Sequence, residues 1–301
     1  MRPQNVALTG ASGTIGAATK KALEAQGHSV LALGREAFES ADRLCTRLRI
    51  HEASAVVSCM ASRTGTKADA WRVDHQAQSM LLTACLNAGV SQFVLLSAIC
   101  VQRPRLHFQH AKLAFERELM ASPLDWSIVR PTAFFKSLSG QLSRVQRGKP
   151  FMVFGDGTLT ACKPIADDDL AEFLVGCLNQ PQRSRKVLPI GGPGAALTPR
   201  DQAAILARIL GRPVPIRQVP PGLLLWVSRA LRLLGKVFPD LAAKAEYARI
   251  GHYYATESML LWNEETQSYD ADATPSHGVA TLEAHYRAVL RQSGLTLRNS
   301  R

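Results

Sequence analysis

A glycine-rich loop near the start of the chain constrains the fold more than any other feature of the sequence. An apolar strand, a G-x-x-G-x-x-G loop, a helix and a second apolar strand follow one another in NVALTGASGTIGAATKKALEAQGHSVLALGR (5–35). The first two glycines allow a tight turn beside a pyrophosphate, the third allows close packing of helix on strand, and the N–H groups at the helix start face the phosphates. This pattern predicts a βαβ unit that binds a dinucleotide. The residues predicted to contact it are Gly10, Ser12, Gly13, Thr14, Ile15 and Gly16.

The residues that follow the second strand bear on the choice of nucleotide. An NAD-dependent enzyme places Asp or Glu at this strand end to hold the ribose 2′-hydroxyl, but this chain has Gly34 and then Arg35. A guanidinium suits a 2′-phosphate, so Arg35 favours NADPH as the cofactor. Glu36 leaves an alternative open. If the strand end lay one residue further along the chain, the Glu36 carboxylate would face the ribose.

Strands and helices alternate through the first half of the chain. Further apolar runs predict strands at 53–61, 92–98 and 126–135, and helical spacing predicts helices at 74–90 and 110–122. Such alternation predicts an α/β fold, with a doubly wound parallel sheet of the Rossmann type that helices cover on both faces.

The alternation loosens after residue 135. Helices are predicted at 167–179, 198–211 and 278–294, and short strands at 151–157, 163–165 and 186–194. We therefore expect a nucleotide-binding domain over 1–150, to which strands and helices from about 160 to 195 return. A smaller C-terminal region, mainly 151–301, would bind the substrate.

Composition excludes several classes of protein. The formal net charge is +12, yet the basic residues are spread along the chain without aromatic interleaving, so we expect no nucleic-acid partner. None of the six cysteines forms a C-x-x-C pair, which argues against a disulfide framework or a metal site. The glycine loop starts at residue 10 and leaves no room for a signal or transit peptide, so we expect a cytoplasmic protein.

The most apolar stretch is GLLLWVSRALRLLGKVF (222–238), which is shorter than the roughly 20 residues of a membrane span. On a helix, Arg229, Arg232 and Lys236 would share one face, with Trp226 and the leucines on the other. Two interpretations stay open. Either the helix packs on the main domain with its basic face in water, or it lies on an anionic membrane surface.

The hexapeptide HFQHAK (107–112) departs from a motif that many reductases with such a sheet carry. The strand at 92–98 places Ser97 at its carboxyl end, where ligands bind in open parallel sheets, and Lys112 follows 15 residues later. A carbonyl reductase of the short-chain type adds a tyrosine four residues before the lysine, because the alkoxide needs a proton. Phe108 stands there instead and has no proton to give.

Reduction of a conjugated C=C bond removes this requirement, because the charge spreads into the conjugated system and no alkoxide forms. We therefore predict Ser97 and Lys112 as catalytic residues, with Phe108 against the substrate. The ammonium of Lys112 would hold the nicotinamide ribose, stabilise the developing negative charge or deliver the proton to the second carbon. An exposed lysine without a catalytic role is the alternative.

Seven segments resemble a known family. They are VVSCMASRTG, FVLLSAICVQRP, FQHAKLAFERELM, SIVRPTAFFKSLSGQ, GKPFMVFGDGTLTACKPI, LPIGGPGAALTP and IGHYYATESMLLW. In these segments the chain resembles the divinyl chlorophyllide 8-vinyl reductases, which are atypical short-chain dehydrogenases/reductases. The resemblance runs from about residue 5 to about residue 290.

This resemblance implies an NADPH-dependent oxidoreductase acting on a CH–CH bond. It would reduce the C8 vinyl group of divinyl chlorophyllide or protochlorophyllide to ethyl during chlorophyll or bacteriochlorophyll synthesis. The family's nucleotide loop falls on Gly10, Gly13 and Gly16, and its active-site lysine falls on Lys112. Plant members carry a plastid transit peptide, so a bacterial member from a phototroph is implied, which leaves open peripheral contact with the intracytoplasmic membrane. His110 departs from the arginine expected in plant members.

The implied substrate is a flat, apolar macrocycle with a central Mg²⁺ and a propionate, which calls for aromatic and cationic side chains. The segment RPTAFFKSLSG supplies Arg130, Phe134, Phe135 and Lys136 as substrate-binding candidates. The phenylalanines would stack on the ring and Lys136 would meet the propionate. The alternative is that one phenylalanine belongs to the core and that the lysine is solvated.

Two histidines of the hexapeptide, His107 and His110, would reach the pigment's Mg²⁺ as an axial ligand or serve only as polar groups at the helix start. We predict no metal site built by the protein alone. Two rival functions stay in view. One is a non-catalytic NADP(H)-binding sensor or assembly factor, and the other is reduction of a different conjugated alkene.

Overall fold

The computed structural model describes residues 3–234 and 239–292 of the 301-residue chain. Ten strands lie in these residues: β1 (Asn5–Thr9), β2 (Ser29–Leu33), β3 (Ala55–Ser58), β4 (Gln92–Leu96), β5 (Asp125–Pro131), β6 (Phe151–Phe154), β7 (Lys186–Ile190), β8 (Ile216–Val219), β9 (Leu261–Asn263) and β10 (Ser268–Asp270). The α-helices of the described residues are α1 (Thr14–Ala25), α2 (Ala41–Ile50), α3 (Lys67–Ala70), α4 (Ala77–Ala88), α5 (His107–Ala121), α6 (Phe135–Leu138), α7 (Leu142–Gln146), α8 (Asp167–Gly176), α9 (Pro199–Leu210), α10 (Leu223–Leu234), α11 (Pro239–Thr256) and α12 (Leu282–Gln292).

The main sheet has six strands in the order β2-β1-β3-β4-β5-β7, and the first five of them pair in parallel. All four residues of β3 and the last four of β1 are buried, as expected for strands that helices cover on both faces. The strand order changes direction between β1 and β3. Ligands bind at the carboxyl ends of the strands at such a switch point. The predicted α/β fold with a doubly wound parallel sheet is confirmed.

The described chain divides into two compact units. The first comprises Met1–Pro131 and Asp167–Pro189, and the second comprises Thr132–Ala166 and Ile190–Arg301. The predicted division at residue 150 separates a nucleotide-binding part from a substrate-binding part. It stays a prediction, because the compact units do not show which part binds which ligand.

The first unit is held by layers of helices on the sheet. The helix α1 packs with α8, whereas α2 packs with α4. A cluster of buried apolar side chains lies between the strands and the helices α2, α4 and α5. Within it, the rings of Phe93 on β4 and Phe115 on α5 lie 5.9 Å apart. Burial of apolar area of this kind is the main force that holds sheet and helices together.

The second unit has its own core. The strands β6 and β8 pair in parallel, β9 and β10 form an antiparallel pair, and α9 and α12 pack together. Tyr286 is fully buried there, and its hydroxyl donates a 3.0 Å hydrogen bond to the carbonyl of Leu138. None of the helices in the described residues has both the length and the apolar character needed to cross a bilayer.

Two predicted helices start earlier than the sequence indicates. The predicted helix at 74–90 begins at Lys67 with α3, and a π-helical turn at Trp71–Gln76 joins it to α4. The predicted helix at 110–122 begins at His107, because the Gln109 side chain accepts hydrogen bonds from the backbone N–H groups just before it. Glutamine three residues into a helix often fills this role.

Other differences lie in the second half of the chain. The segment 163–165 forms no strand of its own and makes only a single bridge, between Ile165 and Phe134. The helices α2 and α11 and the strands β8, β9 and β10 were not predicted. By contrast, α9 begins as predicted: Thr198 caps it, and its hydroxyl accepts from the N–H of Asp201.

Candidate active site

The glycine loop joins β1 to α1 at the switch point of the sheet. Gly10 has a φ of +74°, and a Cβ at this position would lie 2.6 Å from the carbonyl oxygen of Cys59, just beyond β3. A Cβ at Gly16 would lie 2.0 Å from the carbonyl oxygen of Gly10. Both positions therefore require glycine, because a side chain at either one would collide with neighbouring backbone. Gly10 also requires it because its φ is positive.

The surface of this loop suits an anionic ligand. The N–H of Gly13 donates a 2.9 Å hydrogen bond to the Gly10 carbonyl and closes the turn, and Gly13 caps α1 without a side chain. Ser12, Gly13 and Thr14 are exposed, whereas Ile15 is buried. The exposed part of the loop and the positive end of the α1 dipole thus face the same region, where phosphates bind well.

The end of β2 carries an arginine and a folded-back carboxylate. Arg35 is exposed at the start of a short 3-10 helix, Arg35–Glu39. The Glu36 carboxylate curls back so far that a Cβ at Gly34 would lie 2.3 Å from Glu36 Oε2. A hydrogen bond from its own backbone N–H, helped by Arg47 at 3.4 Å, lowers the pKa of Glu36. Arg35 and Glu36, the two residues considered from the sequence for contact with the ribose or its phosphate, therefore both lie at this strand end.

Lys112 lies in the second turn of α5 and forms a buried ion pair. Its Nζ is 3.0 Å from Oδ1 of Asp74, which belongs to the π-helical turn, and only about a tenth of the lysine side chain is exposed. The same Oδ1 accepts from the backbone N–H of Ser62, whereas Oδ2 is buried and has no hydrogen-bond partner in the described residues. Lys112 is thus not the exposed lysine of the alternative interpretation.

This pair bears on the role of Lys112. The contact with Asp74 at 3.0 Å holds the Lys112 head group in one place. Of the three roles considered for Lys112, holding the ribose and stabilising negative charge both call for a charged group fixed in position, which this pair supplies. Delivery of the proton to the second carbon stays the third.

A second buried carboxylate joins two of the predicted site residues. The Ser97 hydroxyl donates a 2.5 Å hydrogen bond to Oε1 of Glu116, which lies one turn after Lys112 on α5 and is fully buried. Arg130, at the end of β5, donates from Nε to Oε1 at 3.2 Å and from Nη2 to Oε2. The Glu116 carboxylate therefore accepts hydrogen bonds from the Ser97 hydroxyl and from one edge of the Arg130 guanidinium.

Removing Glu116 should destabilise the protein more than removing the whole network. Glu116→Leu leaves the largely buried Arg130 without its partner, and we expect a loss of about 3–5 kcal/mol in the free energy of unfolding. The double variant Glu116→Leu/Arg130→Met should recover most of that loss. Urea unfolding followed by circular dichroism measures both, and equal losses in the single and double variants would contradict the ion pair.

The hexapeptide that raised the question of the missing tyrosine forms the first turns of α5. Phe108 is half-buried and lies four residues before Lys112, which puts both on the same side of the helix. His107 is half-buried and His110 is exposed. No group of three or more potential metal ligands occurs among the residues that the structure describes.

The remaining candidates lie in the second unit. Phe135 is buried in the core of that unit, where its ring lies 5.3 Å from the ring of His285, and this agrees with the alternative that one phenylalanine is structural. Phe134 is half-buried and Lys136 is exposed. These two residues stay predictions for contact with a substrate.

Asp74 and Glu116 were not predicted from the sequence, although each contacts a predicted site residue. Glu116 lies 19 residues from Ser97 along the chain and 14 from Arg130. Neither acid belongs to a motif, and only the fold brings them to their partners. Cys59, next to the glycine loop, offers no nucleophile, because burial raises the pKa of its thiol to about 12.

Known proteins resemble this chain in sequence and in fold. A model of the NAD(P)H-binding family matches residues 10–181. The divinyl chlorophyllide a 8-vinyl-reductase of Cucumis sativus is 45% identical over 96% of this chain and 76% of its own length. The photosystem II assembly factor Ycf39 of a Synechocystis strain is 24% identical over 73% of this chain and 72% of its own.

Solved structures agree on the fold. AtPrR2 with NADP+ and (+)pinoresinol superimposes with a TM-score of 0.71 at 16% identity, over 96% of this chain and 99% of that one. The predicted binding of a nicotinamide nucleotide and the resemblance stated from the seven sequence segments are confirmed by the family model and by the identity to the cucumber reductase. The chain belongs to the divinyl chlorophyllide a 8-vinyl-reductase family of NAD(P)H-binding oxidoreductases.

Proposed function

We propose that this protein reduces the C8 vinyl group of a divinyl chlorophyllide or protochlorophyllide to an ethyl group, with NADPH as the hydride donor. Membership of the reductase family supports the reaction. The observation that carries the proposal is the site itself: a buried, charge-paired Lys112 on the same side of α5 as Phe108, which has no proton to donate.

The residues of the site fit hydride addition to a conjugated alkene. Hydride adds to one vinyl carbon, the negative charge spreads into the macrocycle, and a proton reaches the second carbon. Lys112, held in place by its contact with Asp74, is proposed to hold the nicotinamide ribose and to stabilise the developing charge. The proton for the second carbon is proposed to come from a water molecule.

Ser97 also fits an alkene better than a ketone. Its hydroxyl proton is committed to Glu116, so toward a ligand the Ser97 oxygen acts as an acceptor of hydrogen bonds. Chlorophyllides carry a ring ketone as well as the vinyl group. A site in which serine points its proton away and phenylalanine replaces tyrosine has neither of the two usual donors to a carbonyl oxygen, which favours the vinyl group.

Several of the candidate residues are proposed to contact the pigment. Arg130 is proposed to face the pigment with the part of its guanidinium that Glu116 does not use, beside Phe108. In the second unit, Phe134 and Lys136 are proposed to meet the macrocycle and its propionate, and the C-terminal half is proposed as the substrate-binding region. Because the pigment dissolves mainly in lipid, we also propose that the enzyme works beside a membrane of a phototrophic bacterium.

Arg35 is proposed to select NADPH by binding its 2′-phosphate. Arg35→Ala should raise the KM for NADPH about 10-fold or more, as expected for the loss of a charged hydrogen bond of ~1.5–3 kcal/mol, and leave the KM for NADH nearly unchanged. Steady-state kinetics with both nucleotides measures this difference. Glu36→Gln is the matched variant: if it raises the KM for NADH while Arg35→Ala leaves that for NADPH unchanged, then Glu36 contacts the ribose and the assignment of Arg35 is wrong.

The proposed function is tested by incubating the purified protein with divinyl chlorophyllide and NADPH without oxygen and separating the pigments by chromatography. The expected result is the 8-ethyl product, formed much more slowly with NADH. Tight binding of NADPH without product would favour the rival assembly-factor function, which the distant similarity to Ycf39 supports weakly. Product only from a different conjugated alkene would favour the other rival.

A further inference from the structure

The helix α10 presents large apolar side chains to solvent. Leu223, Trp226 and Val227 have exposed fractions of 47%, 67% and 39%, and at 100° per residue they lie on one side of the helix. On the opposite side, Ser228 is buried and its hydroxyl donates a 2.9 Å hydrogen bond to the carbonyl of Ala245 on α11. A surface helix normally buries its apolar side, so this one presents an apolar face that the described residues leave uncovered.

The arrangement predicted for this helix was wrong in one respect. Trp226 was expected opposite the basic residues, but the guanidinium carbon of Arg229 lies 5.4 Å from the centre of the Trp226 ring. Arg232 is exposed one turn further along, and Lys236 lies outside the described residues. The exposed tryptophan and its neighbouring arginine therefore belong to the same surface.

The surroundings of the helix in the sequence carry positive charge only. From residue 202 to residue 239 the chain has six basic residues and no acidic one. On α11, which packs against α10, Tyr247 and Tyr254 have exposed fractions of 51% and 44%, and they lie seven residues apart on one side of the helix. Exposed aromatic rings and an exposed leucine thus occur together in this helix pair, and α10 itself carries Arg229 and Arg232 without an acidic residue.

We propose that the outer face of α10, formed by Leu223, Trp226, Val227 and Arg229, binds the surface of a lipid bilayer that contains anionic headgroups. Tryptophan and leucine would enter the boundary between headgroups and acyl chains, and the arginines would meet phosphates, as in helices that lie in the membrane plane. The absence of acidic residues from 202 to 239 favours an anionic surface over a second copy of this basic chain, which it would repel.

The purpose of this contact rests on the proposed function, since a lipid-soluble pigment would be collected at the bilayer. The contact itself does not. Binding to pigment-free vesicles without NADPH tests the surface alone, and turnover with dispersed pigment tests the reaction alone, so either proposal can fail without the other.

The experiment is flotation of the full chain with vesicles of phosphatidylcholine, alone or mixed with phosphatidylglycerol. We expect binding to the mixed vesicles that weakens as salt is added. The double variant Leu223→Ser/Trp226→Ser should bind at least about 10-fold more weakly, since it removes the two most exposed apolar side chains of this face. Val279→Ser removes an apolar side chain that is 89% exposed outside this surface, and it should bind like the wild type.

Two results would overturn the proposal. One is equal binding of the wild type and the double variant to the mixed vesicles. The other is failure of the wild type to bind the mixed vesicles. A dimer in sedimentation velocity that the double variant lacks would then assign the face to a second copy of the chain. Circular dichroism of both variants checks that the exposed substitutions leave the fold intact.

Discussion

Replacing Lys112 by methionine should lower the kcat of vinyl reduction by about 100-fold or more, the usual effect of removing one group that stabilises charge in a transition state. The substitution removes the cation that pairs with Asp74 in the proposed active site. It also leaves Asp74 as a buried, unpaired carboxylate, so the single variant should lose stability by about 3–5 kcal/mol. Pigment turnover and urea unfolding measure the two effects separately.

Two further variants distinguish chemistry from folding. Lys112→Met/Asp74→Asn should recover much of the lost stability without recovering activity, since neither charge remains. Lys112→Arg keeps a cation that does not give up its proton, and it should retain more activity than Lys112→Met. If Lys112→Arg were as inactive as Lys112→Met while folding normally and binding NADPH, the lysine would act as the proton donor and the role assigned to its pair with Asp74 would be wrong.

Gly16→Ala should abolish NADPH binding and lower the thermal stability strongly. The added methyl group would lie 2.0 Å from the Gly10 carbonyl oxygen, a backbone atom that cannot move without displacing the loop. Gly13→Ala should be milder, because the corresponding distance is 3.3 Å, and Gly140→Ala is the matched control, since its added methyl group would meet nothing within 4 Å. Calorimetric titration with NADPH and thermal unfolding measure the series. Normal NADPH affinity in Gly16→Ala would exclude this loop as the nucleotide site.

The predictions that held depend on contacts between residues close in the sequence. The strand, loop and helix around Gly10 are predicted by a sequence pattern of about thirty residues. The N-cap at Thr198 is predicted by the few residues that begin the helix. The early start of α5 was missed because Leu106 is not a capping residue, and the capping comes from Gln109 inside the helix. Local rules therefore located the elements well and some of their boundaries less well.

The predictions that failed or were missing depend on the tertiary structure. No rule of spacing connects Asp74 to Lys112 or Glu116 to Ser97, because the residues of each pair belong to different elements that only the fold brings together. The placement of Trp226 opposite the basic residues of α10 was wrong, because Arg229 lies over the Trp226 ring. The orientation of the helix was left open from the sequence, because only packing on α11 decides which side is buried.

Isotope tracing tests the central claim, hydride addition to the vinyl group at this site, most directly. The protein would be given divinyl chlorophyllide and NADPH with two deuterium atoms at nicotinamide C4, and the product analysed by mass spectrometry and proton NMR. We predict one deuterium atom on one carbon of the new ethyl group. With ordinary NADPH in deuterated water, we predict one deuterium atom on the neighbouring carbon. A product without deuterium from the cofactor in its ethyl group, or with deuterium on an alcohol carbon formed from the ring ketone, would contradict the claim.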